Sequence, residues 1–262
     1  MLEEIVNRSP FFLLIYARCI ALLLTLPLFS MRSVSRIVKL ALAFYMAYIL
    51  LPLADHGTYS SYISDTGSFT LIYVFLLLGE AMIGIVMGFF VSIIFSAFST
   101  AGQFFAFQMG LSASEVYDSL SQVENPLMGQ YLNLIAMLVF LQSKWFQKLF
   151  LRGLVSSISS MNVFALIEKR EGFAFFFTGS LTRLFSDALV ISLPLMGTLL
   201  LVSVSMGLLS RAAPQMNLLA EGFAVMLPTS FLVFAFLIPY LFNFFERTFD
   251  AGLTSLIQII GG

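Results

Sequence analysis

Long apolar runs broken by short polar stretches dominate the chain, at residues 11–29, 37–54, 69–107, 127–141, 188–209 and 223–245. A bilayer core takes about 20 apolar residues as a helix, so the pattern predicts membrane helices. The six runs are unequal. The third is nearly two spans long and contains no proline, whereas the fourth is short and leads into a half-apolar stretch at 145–167 preceded by Lys144 and carrying Lys148 and Arg152. An up-and-down bundle fits this spacing poorly. The expected fold class is all-α: an integral membrane protein of helical hairpins with broken helices.

Composition supports that solvent class. Of 262 residues, 60% are hydrophobic and 10% charged, too few polar groups to coat a water-facing surface. The formal charge of -1 offers no field to draw a polyanion, so nucleic-acid binding is set aside. Glu3 and Glu4 stand where a cleavable leader would be basic, and the first run leads into Met31 and Arg32, so it reads as a retained helix. Loop charge conflicts with simple alternation. Arg32, Arg36 and Lys39 follow the first run, while Lys144, Lys148, Arg152, Lys169, Arg170 and Arg183 lie between the fourth and fifth. Six alternating spans would put these clusters on opposite faces, against the rule that basic loops stay cytoplasmic. Either the third run is a hairpin, or some helices do not cross the bilayer in the ordinary way. The acidic and uncharged stretch at 55–68 reads as an outer loop. No linker or repeat divides the chain, so 1–262 is expected to form one domain.

Several constellations carry physical content. Small residues fall every four positions at Gly84, Gly88, Ser92, Ser96 and Thr100, just after Gly79. That spacing lines one helix face and lets helix backbones approach closely in lipid, within the chain or against a partner. Arg18, Glu80 and Asp187 lie inside or at the edge of apolar runs, where a charge costs about 2.5–3.5 kcal/mol on insertion scales. Arg18 is near enough to its run's end to snorkel. Glu80 has no such escape and is expected to face a partner helix or an aqueous path. Asp187 marks the expected entry to the fifth run, with Pro194 bending it. Residues 108–126 are rich in Ser and acidic but not basic side chains, with Met109, Gly110, Leu111, Ser112, Glu115, Tyr117, Asp118, Glu124 and Pro126 among them. The segment is too mixed to span, and reads either as a re-entrant plug-like loop or as a surface loop. Gly207, Pro214 and Gly222 punctuate the turn between the last two runs, where Arg211, Gln215 and Asn217 supply a polar hairpin tip.

Enzymatic chemistry has no candidate centre. The one histidine, His56, lies in a polar loop, and Cys19 is a lone cysteine in an apolar run, so no catalytic pair, metal cluster or disulfide is expected. Tyr117 and Asp118 resemble one half of an intramembrane aspartyl protease, but the second half is missing. No phosphate-cradling glycine loop occurs, and no cofactor is expected.

The segment GLLSRAAPQMNLLAEGF at 207–223 resembles the signature of the FliR family of flagellar type III export-gate proteins. GEAMIGIVMG at 79–88 resembles that family's Gly-Glu and spaced-glycine segment. Arg18, Pro27 and the basic stretch from Arg32 resemble its first hairpin, and the loop ending at Pro126 lies where the family carries a plug. Residues 142–187 depart from the pattern, with Ser143-Lys144-Trp145 in place of the usual motif. The resemblance implies a multi-pass subunit of the bacterial inner membrane at the flagellar basal body. It implies FliP-like and FliQ-like partners, an FlhB-like neighbour and unfolded export substrates in transit. It also implies a FliP-like part at 1–187 and a FliQ-like hairpin at 188–262, with the Arg211 tip at the cytoplasmic entrance. The injectisome subunits of the same family, of SctT or SpaR type, share the tip motif and form the alternative. A secondary transporter is the rival from another class, and no repeat between the halves favours it.

Overall fold

The computed structural model describes residues 9–30, 34–53, 59, 71–110, 127–212 and 218–261. Every regular element among them is helical: α1 (Ser9–Thr25), α2 (Pro27–Ser30), α3 (Arg36–Leu50), α4 (Leu71–Gln108), α5 (Leu127–Gln142), α6 (Trp145–Ser160), α7 (Val163–Glu168), α8 (Arg170–Ala212) and α9 (Leu218–Gly261). A 3-10 turn, Leu51–Leu53, extends α3, and a π-helical stretch, Leu149–Leu154, interrupts α6. Among the described residues four helices are long and apolar enough to cross a membrane. The pair α5 and α6, broken at Ser143 and Lys144, makes a fifth if counted as one span.

Three expectations change. The third run is not a hairpin, because α4 continues unbroken for 38 residues. The last two runs are cores of much longer helices, of 43 and 44 residues, that extend through polar flanks. Asp187 accordingly lies within α8 rather than at its entry, one turn from Arg183, whose guanidinium is 3.9 Å away. Pro194 lies inside α8, and Pro228 and Pro239 inside α9.

The described chain folds as two compact units. The first comprises Met1–Ile93, Lys144–Ser180 and Asp250–Gly262. Its α1 buries one side against α3, where the Phe12 ring meets Phe44 edge-on at 5.0 Å, and another against α4. Leu14, Tyr59, Tyr73 and Leu76 form a core cluster, with Phe11, Leu13, Leu77 and Val163 packed on it. Gly153 of the π-helical turn lets α6 sit against Met87 of α4 and Leu253 of α9. Near the far end of α9 the Ser160 hydroxyl donates to the Ile260 carbonyl at 3.1 Å, satisfying an acceptor in the last helical turn.

The second unit comprises Ile94–Ser143 and Leu181–Phe249. There Gly102 of α4 and Gly129 of α5 bring two backbones together, and a Cβ on Gly102 would collide with the Gly129 Cα. Phenylalanines fill the rest. Phe98 meets Phe245 edge-on at 4.1 Å, and Phe95, Phe140 and Phe249 pack mutually at 5.1–5.4 Å. Edge-to-face geometry suits the ring quadrupoles, so this core gains more than area burial alone. At its border Ser143 donates to Glu246 at 2.7 Å.

Candidate functional site

The most polar buried feature of the first unit is built around Arg18 of α1. Its guanidinium donates from Nε to Glu80 Oε2 at 2.6 Å, from Nη1 to Ser157 Oγ at 2.6 Å and from Nη2 to the Met161 carbonyl at 2.8 Å. Arg18 is 2% exposed and Glu80 3%. The second carboxylate oxygen, Oε1, accepts from the Tyr59 hydroxyl at 2.6 Å, and that hydroxyl accepts from the Val163 N–H at 3.0 Å. Burial, and then the neighbouring Glu80 carboxylate, push the Tyr59 phenol up from its ordinary range, so it stays a donor.

Each link has a local reason. Met161 and Asn162 interrupt the helix between α6 and α7, which leaves carbonyls at the end of α6 and N–H groups at the start of α7 unpaired. Arg18 takes the Met161 carbonyl and Tyr59 takes the Val163 N–H. The Asn162 side chain caps α7 by accepting from the Ala165 N–H at 2.7 Å. One ion pair therefore ties α1, α4, α6, α7 and Tyr59 together. A buried charge pair is stable only when its remaining donors and acceptors are satisfied, and here Ser157, the Met161 carbonyl and Tyr59 take them up.

Small residues bring Arg18 and Glu80 into reach. A Cβ on Gly84 would collide with the Arg18 carbonyl, and one on Gly88 with the Thr25 hydroxyl. One turn farther Ser92 donates to the Thr25 carbonyl at 2.7 Å. On the same helix Gly79 faces Val163, whose methyl carbons lie 2.5 Å from where a Cβ would stand. The face from Gly79 to Ser92 thus packs on α1 and α7 of its own chain. Ser96 is exposed, because a four-residue spacing drifts around a 3.6-residue helix.

The other expected positions divide between described and undescribed residues. Arg18 does not snorkel, since Glu80, Ser157 and Met161 hold its head inside the protein. Pro27 opens α2 and is half-buried. Met109 is fully buried, and Gly110 ends α4 with φ of 77°, a left-handed conformation suited to glycine at a helix end. Leu111, Ser112, Glu115, Tyr117, Asp118, Glu124 and Pro126 lie outside the described residues, as do Pro214, Gln215 and Asn217. Gly207 and Gly222 have open space where a side chain would stand, and Arg211 is exposed in the last turn of α8. Sequence reading missed Tyr59, Ser157, Gly102 and Gly129. Gly102 stands fourteen residues beyond Gly88 and Gly129 is the one glycine of α5, so neither extends a stripe, and Tyr59 sits in a polar loop with nothing local to mark it.

Among the described residues no group of three or more His, Cys, Asp or Glu is placed to hold a metal ion. Cys19 is fully buried and forms no disulfide among the described residues. The arrangement holds helices together.

The family model of the bacterial export proteins, family 1, matches residues 10–252. The flagellar biosynthetic protein FliR of Bacillus subtilis (strain 168) is 29% identical over 99% of this chain and 99% of its own length. The protein of the same name in Escherichia coli (strain K12) is 31% identical over 93% and 90% respectively. The surface presentation of antigens protein SpaR of Shigella sonnei is 31% identical over 66% of this chain and 65% of its own length.

Proposed function

Because the chain belongs to the family 1 bacterial export proteins, we propose that it serves as a subunit of the flagellar type III export gate, a multi-pass protein of the inner membrane at the flagellar basal body. The flagellar relatives of Bacillus subtilis and Escherichia coli align with more than nine tenths of it, whereas the injectisome relative SpaR aligns with two thirds, which favours the flagellar system.

The observation that carries the reading is a mismatch of length. Exposed apolar side chains on α8 recur from Phe175, 83% exposed, through Leu189 and Leu200 to Leu209, 52% exposed. At 1.5 Å per residue that is about 51 Å, and about 39 Å of bilayer depth even at the steepest usual tilt of 40°. The hydrocarbon core is only about 30 Å thick. Lipid tails therefore cover part of the helix, and protein must cover the rest.

In this reading FliP-like and FliQ-like subunits supply the cover, with an FlhB-like protein nearby. Residues 1–187 act as a FliP-like part and 188–262 as a FliQ-like hairpin, with the tip from Arg211 to Asn217 facing the cytoplasmic entrance. Exposed faces of α4, α8 and α9 line subunit contacts around a conduit for unfolded flagellar proteins. The segment from Met109 to Pro126 helps close it at rest. The chain conducts and performs no catalysis, while the Arg18 and Glu80 pair keeps the first unit rigid enough to present its faces.

Co-purification in mild detergent tests the assembly. FliP-like and FliQ-like proteins are expected to accompany the chain, and its recovery as a lone, transport-competent protein would reject the proposal.

A further inference from the structure

Every exposed residue of α4 from Leu71 to Phe89 is apolar, a stretch of about 27 Å, which is close to one hydrocarbon core. The next two exposed residues are Ser96 and Gln103. Both continue the same side of the helix. Phe75, Met82, Phe89, Ser96 and Gln103 follow at intervals of seven, a spacing that drifts only about 20° per step. One continuous ridge therefore changes from apolar to polar after Phe89, with no break in the helix. At the crossing of Gly102 and Gly129, a Cβ on Gly129 would stand 3.6 Å from Ser99 Oγ and 3.8 Å from Gln103 Cγ, so both side chains border α5. Gln130 of α5 comes next and is exposed, and one turn on Asn133 holds a buried Oδ1 with no donor among the described residues. Neither α5 nor the part of α4 beyond Glu80 carries a charge.

We propose that Ser96, Gln103 and Gln130 line the water-filled passage itself and offer uncharged donors and acceptors to the backbone of a polypeptide in transit. The inference rests on the export-gate reading and adds which face meets the substrate. Lipid fits the first half of the ridge in length and chemistry, but an amide such as that of Gln103, turned toward hydrocarbon, loses its hydrogen bonds. A packed partner helix would enclose the same amides and would have to match each donor and acceptor, whereas water serves them all. The donorless Asn133 Oδ1 agrees with a wet site, since water commonly serves buried polar atoms of this kind. Position favours the passage as well. Gln103 lies in the last two turns of α4 and Gln130 in the first turn of α5, the two helix ends that bracket the segment proposed to close the conduit. Hydroxyl and amide groups bind any backbone weakly and hold neither acidic nor basic segments, so chains of varied sequence enter and leave.

Cysteine labelling in membranes that hold the assembled complex tests this. The chain's one native cysteine, Cys19, is fully buried and gives little background. Ser96→Cys, Gln103→Cys and Gln130→Cys are expected to react with a water-soluble methanethiosulfonate about tenfold faster than Phe75→Cys and Phe89→Cys, because a thiol ionises and reacts in water rather than in lipid. A substrate stalled by a fused, tightly folded domain is expected to suppress the reaction at the three polar positions. Rates there no faster than at Phe75→Cys and Phe89→Cys overturn the proposal, as does fast reaction that a stalled substrate leaves unchanged. Failure of the export-gate reading shows separately, because FliP-like and FliQ-like proteins then do not co-purify from the same membranes.

Discussion

Arg18 and Glu80 are 62 residues apart in the chain, and their side chains meet at 2.6 Å in a pocket that neither shares with solvent. The pair joins α1 to the longest uninterrupted apolar run, and its outer hydrogen bonds fix the break between α6 and α7. Removing one partner strands the other. Glu80→Ala is expected to destabilise the first unit by about 3–5 kcal/mol, because an unpaired guanidinium remains buried. Replacing both, as in Arg18→Met with Glu80→Met, is expected to recover most of that loss. Membrane levels and detergent melting of the two single variants and the double variant check this. A double variant as unstable as the singles taken together would show that the pair is not the coupled unit.

Tyr59→Phe keeps the ring in its cluster and removes the hydroxyl that serves both Glu80 and the Val163 N–H. A loss of about 1–3 kcal/mol is expected, since a part-buried N–H is left without its acceptor and the buried Glu80 loses a donor. The loss has a pH signature. The folded phenol titrates above its unfolded value, so its contribution is fully present below the unfolded value, about 10, and fades only as pH rises through the folded one. Melting of wild type and Tyr59→Phe should therefore differ by a constant amount from about pH 6 to about pH 9. A gap that closes within that interval would contradict the assignment.

Glycines in contact and glycines in the open should part company. Gly88→Ala and Gly102→Ala push a methyl into Thr25 and into the Gly129 backbone, at an expected cost of about 1–3 kcal/mol each. Gly207→Ala and Gly222→Ala meet open space within the chain and should raise helix stability by up to about 1 kcal/mol. Expression and melting report the chain's own stability, and a motility assay reports export. Loss of motility without loss of chain stability in the second pair would place a partner helix on that face.

Lys144 is exposed and holds φ of 56°, the left-handed conformation that costs an L-residue about 1–2 kcal/mol. Lys144→Gly is expected to raise the melting point of the detergent-solubilised protein, whereas Lys144→Ala keeps the strain and should not. Equal behaviour of the two variants would mean that the backbone does not set the break at this position.

Deleting residues within 110–122 tests the proposed closure of the conduit. Ion leak or sensitivity to small toxic molecules is expected to rise while partners still co-purify. An unchanged leak in an assembled complex would reject the plug.

What the sequence determined by itself was whatever depends on solvent preference and local spacing. Hydropathy marked the membrane helices, because apolar side chains partition into hydrocarbon wherever they sit in the chain. The four-residue spacing of Gly84, Gly88 and Ser92 marked a close-packing face, because helical periodicity is local. The motif at 207–223 carried the family. Helix ends were less legible. Hydropathy measures immersion, not helicity, so the polar flank of α8 at 170–187 read as a loop although its backbone continues the helix. Tertiary structure alone decided where the intramembrane charges go. A lone arginine and a lone glutamate in apolar runs each demand a partner, and solvation cost gives the size of that demand without its address. The address came from Ser157 and Met161, more than 130 residues from Arg18 along the chain, and from a tyrosine in a polar loop. Only the folded packing of α1 on α4, set by glycines that let the two backbones touch, brings these groups within hydrogen-bonding reach.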